Sequence, residues 1–204
     1  MLGALMVSEA YTRTDRSFRE RWRKRKITSR QISLYIAAFV LLALAEPSWP
    51  TFIGGCFFVI LGLAIRAWTF GHLEKNLNLT TTGPYAHSRN PAYLGSLAVL
   101  VGIAMAAGNA YSALGIALWI AGAIGVGIFL FSYMPRKYDR EYSRLKELFP
   151  EEERRHAIHV PHFWPRLTPW RSGDDRRFSL ARLRRNHEPG WVLVCAVALA
   201  VMWI

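Results

Sequence analysis

Cysteine is nearly missing from this chain: only Cys56 and Cys195 among 204 residues carry a thiol. Both sit inside apolar runs, which excludes a disulfide framework and a thiolate zinc site; both read as small packing residues. Acidic residues are scarce too, 14 against 26 Lys and Arg, for a formal net charge of +12. In a chain that is 52% hydrophobic, so one-sided a charge argues against an ordinary soluble domain. It suits a small membrane protein whose charge sits in its loops. No internal repeat and no low-complexity tract is found. The first 30 residues lack a charged start followed by an apolar core and a small-residue cleavage site, so no signal peptide is expected.

Apolar length, by contrast, is plentiful. Five runs stand out: Ile32–Ala45, Phe52–Phe70, Ala92–Ala107, Ala110–Tyr133 and Gly190–Ile204. A spanning helix needs about 20 apolar residues, roughly 17 to 25. The second and fourth runs reach this alone and the others by borrowing flanking residues, so about five transmembrane helices are expected. Nine Lys and Arg precede Gln31, Lys75 and Arg89 lie between runs two and three, and fourteen more fall between Pro135 and Glu188. Arg66 is near the end of run two that leads to the same side. The opposite side receives Glu46 and Gly108-Asn109. The positive-inside rule then puts the N-terminus, the loop after run two and the long basic segment in the cytoplasm, and the C-terminus outside. The expectation is a multi-pass protein of the plasma membrane (the inner membrane in a bacterium).

Three segments follow from this pattern. Residues 1–30 form a basic arm that touches anionic lipid rather than nucleic acid; Phe18 and Trp22, four apart among arginines, suit an interfacial helix. Residues 31–165 form the membrane core, with one hairpin closed by Glu46-Pro47-Ser48-Trp49-Pro50 and a second by Gly108-Asn109. Gly54, Gly55, Gly62, Gly115, Gly122, Gly125 and Gly127 suit close helix packing in lipid. From Arg136 to Arg155 the chain is charged, with Tyr138, Tyr142, Leu145, Leu148 and Phe149 at helical spacing. This predicts an amphipathic helix lying on the cytoplasmic face. Residues 166–204 are a basic connector and the last span.

The segment Thr82–Gly95 (TGPYAHSRNPAYLG) is polar and turn-rich between two spans. Polar backbone beside a membrane is costly unless it lines a cavity, so a site is expected there. Gly83-Pro84 makes a bend. Asn90-Pro91 starts a helix, with Asn at the cap and Pro in the first turn. The loop presents Tyr85, His87, Arg89 and Tyr93, and the helix start offers amide donors to a polar ligand. Downstream, Glu141 is four residues from Lys137, which fits a surface pair. If that helix folds over the loop, the carboxylate instead faces an aromatic pocket suited to an ammonium or sulfonium. His156, His159 and His162 are three apart, but Pro161 interrupts them and no carboxylate or thiolate completes a set, so no metal is expected. Arg66 either snorkels or lines the cavity.

These two motifs in order resemble the isoprenylcysteine carboxyl methyltransferase and phospholipid methyltransferase family of integral membrane enzymes. That family carries roughly G-x-Y-x-x-x-R-H-P-x-Y-x-G after one span. It continues with R-x-x-x-E, a Leu, F-G-x-E-Y and V-P-x-x-x-P, and the likeness covers about residues 52–165. The resemblance implies S-adenosylmethionine at the cytoplasmic membrane face, under a covering amphipathic helix. It also implies a lipid-like or prenylated acceptor (carboxylate, amine or thiol) arriving from the bilayer. Leu77, Asn78, Leu79 and Thr80 would wrap the cofactor, and Tyr85, Asn90, Pro91, Ala92 and Tyr93 would complete its pocket. Glu141 would meet the methionyl amine, and Lys137, with Arg136 beside it, would orient the acceptor. Asn90 stands where the family has His, Lys137 where it has Arg, and Pro150, Glu153 and His156 where it has Gly, Tyr and Tyr. The alternatives are a nicotinamide-dependent membrane reductase of the sterol-reductase type and a non-catalytic membrane scaffold.

Overall fold

The computed structural model describes residues 36, 38–74, 78–186 and 188–203. The chain divides into Met1–Val40 and Leu41–Ile204. Of the first unit, residues 36 and 38–40 are described, and they are helical; the basic arm with Phe18 and Trp22 lies outside the described residues. In the second unit every regular element among the described residues is helical: α1 (Trp49–His72), a 3₁₀ turn (Gly83–Ala86), α2 (Pro91–Ala107), α3 (Ala113–Ile128), a π-helical turn (Phe129–Tyr133), α4 (Met134–Leu148), α5 (Pro150–His159), α6 (Leu180–Arg185) and α7 (Glu188–Val201).

Two of these helices are long and apolar enough to cross a bilayer: α1, and the continuous rod Ala113–Leu148. At 36 residues the rod is about 54 Å long, well beyond a hydrocarbon core of about 30 Å. Runs three and five form shorter apolar helices, α2 with 17 residues and α7 with 14. Burial is inverted relative to a water-soluble domain. The interior holds small residues such as Gly55, Gly62, Gly95 and Ala106, while Ile53, Phe57, Ile60, Ile120, Ile124 and Phe131 stand exposed. Apolar faces of that extent call for lipid or a partner; with the two long apolar helices, they describe a membrane protein.

α1 lies along α2 on a ladder of glycines. A Cβ added at Gly55 would fall 2.5 Å from the Gly102 carbonyl, and one at Gly62 would fall 2.5 Å from the Gly95 carbonyl. Backbones approach that closely only where side chains are missing. Gly95 and Gly102, both on α2, supply the other side of the same ladder. Gly125 and Gly127 do not take part: nothing lies within 4 Å of a Cβ built at either.

The charged segment after run four is not one separate helix. It continues run four as far as Leu148 and then breaks. Pro135 has no N–H, and its ring crowds the preceding turn, so an uninterrupted α-helix is unfavourable there. The π-turn just before it absorbs the mismatch, with the Met134 N–H reaching back five residues to the Phe129 carbonyl. The break at Phe149 (φ −140°, ψ 61°) follows from Pro150, which drives the residue before it out of the α region. Of the expected apolar stripe, Tyr138 is buried, Tyr142, Leu145 and Phe149 are half-buried, and Leu148 is exposed.

The far end of the helices, away from the 82–95 loop, is closed by polar groups. Asn109 Nδ2 donates to the Glu46 carbonyl (2.6 Å) and the Thr51 hydroxyl to the Gly108 carbonyl (3.0 Å). The Ser112 hydroxyl meets the Glu46 carboxylate and accepts from the Gly115 N–H (2.8 Å), capping α3. Trp49 and Trp203 touch at this end, ring centroids 4.9 Å apart.

Candidate functional site

The 82–95 segment sits at the opposite end. Gly83 adopts φ +59°, and a Cβ there would strike the His72 ring at 2.8 Å, so both conformation and space require glycine. The loop is docked along residues 159–170 by a run of hydrogen bonds. The Arg89 N–H donates to the Pro161 carbonyl (3.0 Å), the Arg166 N–H to the His87 carbonyl (2.9 Å) and the Trp170 N–H to the Ala86 carbonyl (2.9 Å). Side chains add to this. The Ser88 hydroxyl donates to the Phe163 carbonyl (2.8 Å), and His87 Nδ1 pairs with the Arg166 carbonyl (2.8 Å). The polar backbone of the loop thereby finds its partners within the protein.

Asn90 precedes α2, but its side chain makes no cap. Its amide instead donates to the His162 carbonyl (2.9 Å), so the expected capping bond is replaced by a tether to the aromatic segment. Pro91 follows at the first helical position.

α4 brings its carboxylate to this loop. The Tyr93 hydroxyl hydrogen-bonds Glu141, and the same carboxylate acts on Tyr85. Burial first, and then the Glu141 charge, raise the Tyr85 phenol far above its ordinary value; at neutral pH Tyr85 is a donor and not a proton acceptor. Lys137 is exposed one turn before Glu141. Arg136 points elsewhere: its guanidinium binds the Ser132 carbonyl (2.7 Å) and hydroxyl (2.6 Å). Thr82, where the turn begins, buries a hydroxyl that has no protein partner.

The upstream stretch is partly committed to the protein. The Leu79 carbonyl accepts from Arg176 Nη2 (2.7 Å), and the Thr80 hydroxyl accepts from the Glu74 N–H (3.3 Å). Asn78 is exposed, and Leu77 lies outside the described residues. Beside the Tyr93–Glu141 contact a second polar group forms. Arg89 pairs with Glu153 (3.5 Å) and caps the Tyr142 ring at 4.7 Å, and Tyr138 stacks on Tyr142. Glu153, noted only as a departure from the family pattern, is thus the partner of Arg89.

The three histidines diverge. His156 Nε2 pairs with the Tyr85 carbonyl (2.8 Å), and His159 Nδ1 with the Arg155 carbonyl (2.8 Å). Burial, followed by the nearby Arg89 charge, holds the His156 imidazole below its ordinary value even though the Tyr85 carbonyl opposes this. Arg66 neither snorkels nor lines the loop. It is buried in an ion pair with Glu188 (Nη2 to Oε1 2.8 Å, Nε to Oε2 3.1 Å), with Ser96 Oγ 2.5 Å from Nη1. The guanidinium also lies 4.9 Å from the Trp191 ring. The only hint of that pairing in the sequence was a lone acid opening an apolar run.

An all-helical membrane protein with a tyrosine- and carboxylate-bearing site at one helix end is the class these features define. Residues 50–140 match the family model for phospholipid methyltransferase, so this part of the chain is similar to that family of membrane methyltransferases. The match takes in Lys137 and stops one residue before Glu141. No curated protein and no solved structure gives a significant match.

Proposed function

We propose that this protein is an S-adenosylmethionine-dependent methyltransferase acting on a lipophilic acceptor at the cytoplasmic face of a multi-pass membrane fold. The observation that carries this reading is the hydrogen bond between the Tyr93 hydroxyl and Glu141, whose charge also reaches Tyr85, on two elements a helical hairpin apart in sequence. The residues present fit the cofactor's chemistry. A carboxylate beside electron-rich rings suits an ammonium and a sulfonium, and the buried, unpartnered Thr82 hydroxyl suits a polar ligand group.

When bound, the cofactor supplies a methyl group on a positively charged sulfur. Glu141, oriented by the Tyr93 hydroxyl, holds the ammonium. Asn78, Tyr85 and the opening of α2 (Asn90, Pro91, Ala92) shape the rest of the pocket, with Leu79 and Thr80 beside them. Lys137 orients an anionic acceptor, while Arg136, bound to Ser132, adds only positive potential. A displacement of this kind depends on alignment and exclusion of water, which the docked 159–170 segment favours. An amine acceptor would also have to lose a proton, for which Glu141 or a tyrosine is the candidate base.

The decisive test is calorimetry on purified protein with S-adenosylhomocysteine and, separately, NADPH. Binding of the first alone is expected. Binding of NADPH alone would establish the reductase reading, and binding of neither the scaffold. Radiolabelled methyl donor with fractionated lipid extracts then identifies the acceptor.

A further inference from the structure

The connector between the 159–170 segment and α7 lies beyond the residues matched to the family, yet it straps the loop that leads into the site. Arg176 is its centre. Its Nη2 donates to the Leu79 carbonyl at 2.7 Å, while Nε is shared between the two Asp174 oxygens, each at 2.9 Å. Nη1 lies 3.7 Å from Glu74, whose other oxygen binds Arg182 Nε at 3.0 Å. Thr81 pairs with Ser172 at 2.7 Å. On the far side, the Ser179 N–H donates to the Gly71 carbonyl (2.9 Å) and Asn186 Nδ2 to the Phe70 carbonyl (3.1 Å). Both stems of the loop, residues 71–74 and 79–81, are therefore held by one stretch, 172–186.

Burial raises the Asp174 carboxyl, but the Arg176 hydrogen bonds and charge, with Thr81, outweigh it and leave the group below its ordinary value. The pair is thus fully ionised at neutral pH, and Asp174 presents the guanidinium edge to the loop. The side chains are about four-fifths covered, at 18% exposure for Arg176 and 19% for Asp174, so screening by salt is partial.

We propose that Arg176 is a positioning residue. By holding the Leu79 carbonyl it sets the path of residues 78–82 and hence the donor affinity of the site. This rests on the methyltransferase reading above, but the latch itself is testable without any ligand.

The experiment uses the full chain in lipid nanodiscs, comparing wild type with Arg176→Met. Hydrogen exchange is followed over residues 78–82, and S-adenosylhomocysteine affinity and donor KM are measured in parallel. Loss of a charge-assisted bond predicts about tenfold faster exchange in 78–82, with α1 and α2 unchanged. Donor KM and the dissociation constant should rise about tenfold while kcat at saturating donor stays within about twofold. Arg176→Lys, which keeps a donor for the carbonyl, should recover part of both. Should Arg176→Met fail to fold, Asp174→Asn should move exchange and affinity in the same direction by less.

Unchanged exchange in 78–82 overturns the latch. Faster exchange with unchanged affinity overturns the positioning role. A wild-type protein that binds no S-adenosylhomocysteine removes the underlying reading, and the exchange data, which need no ligand, separate that failure from failure of the latch.

Discussion

Replacing Glu188 with Ala tests the energetics of the buried ion pair directly. Arg66 and Glu188 side chains are 10% and 7% exposed, so the change leaves a guanidinium in an apolar setting with one remaining hydrogen bond, to Ser96. Removing one partner of a buried pair costs about 3–5 kcal/mol, because the other charge stays desolvated. For a chain of this size each kcal/mol moves Tm by about 2–4 °C, so the smaller cost predicts a fall of about 6–12 °C. The assay is thermal unfolding in one fixed detergent, followed by tryptophan fluorescence. Arg66→Met with Glu188→Met removes both charges and retains bulk between Phe70 and Trp191, which flank the guanidinium. It should recover most of the loss, because an apolar isostere of a buried pair is often neutral or stabilising. The coupling of the cycle should exceed about 1 kcal/mol. A single Glu188→Ala shift under about 2 °C, or a double variant no better than the single one, would refute the reasoning.

Glu141→Gln should weaken S-adenosylhomocysteine binding by roughly 10- to 100-fold, the worth of a hydrogen bond to a charged group, while far-ultraviolet dichroism stays unchanged. Lys137→Ala should lower turnover with an anionic acceptor while donor affinity in calorimetry remains at the wild-type value. Gly62→Ala drives a Cβ to 2.5 Å from the Gly95 carbonyl and should destabilise by about 1–3 kcal/mol. Gly127→Ala meets open space and should stabilise by up to about 1 kcal/mol, both read from melting curves. Because His156 lies below its ordinary value in the folded protein, protons bind the unfolded chain more readily. Stability should therefore be full above about pH 6.5 and fall as pH drops below it. His156→Gln, which can still donate to the Tyr85 carbonyl, should flatten that slope in a pH series of melting curves.

Much of this was visible in the sequence because membrane and turn chemistry act locally. Runs of the right length formed α1 and the rod beginning at Ala113, and Gly83 sits at the positive φ that its neighbours demand. Glu141 lies beside Tyr93 because the helix that begins at Ala113 runs on past Pro135 to Leu148. The rest depends on partners distant in sequence. Arg66 pairs with a residue 122 positions away, and nothing local to either identifies the other. Asn90 looked like a cap because capping is a local rule; the His162 carbonyl, brought in by a later turn, outcompeted it. The break at Phe149 was readable from Pro150, but the amphipathic pattern on both sides hid it.

Residues 50–140 contain the loop, yet they do not contain the groups that hold it. The carbonyls of Pro161, His162, Phe163 and Arg166 accept from Arg89, Asn90, Ser88 and His87, and Arg166 and Trp170 donate back. Each of these bonds contributes about 0.5–1.5 kcal/mol net, so together they are a substantial part of what fixes the loop. The matched segment alone lacks these supports for the loop. The C-terminal third supplies three supports: the backbone partners of the loop, Glu188 for Arg66, and Arg176 for the Leu79 carbonyl. Variation there should alter the shape of the site without changing any residue in it.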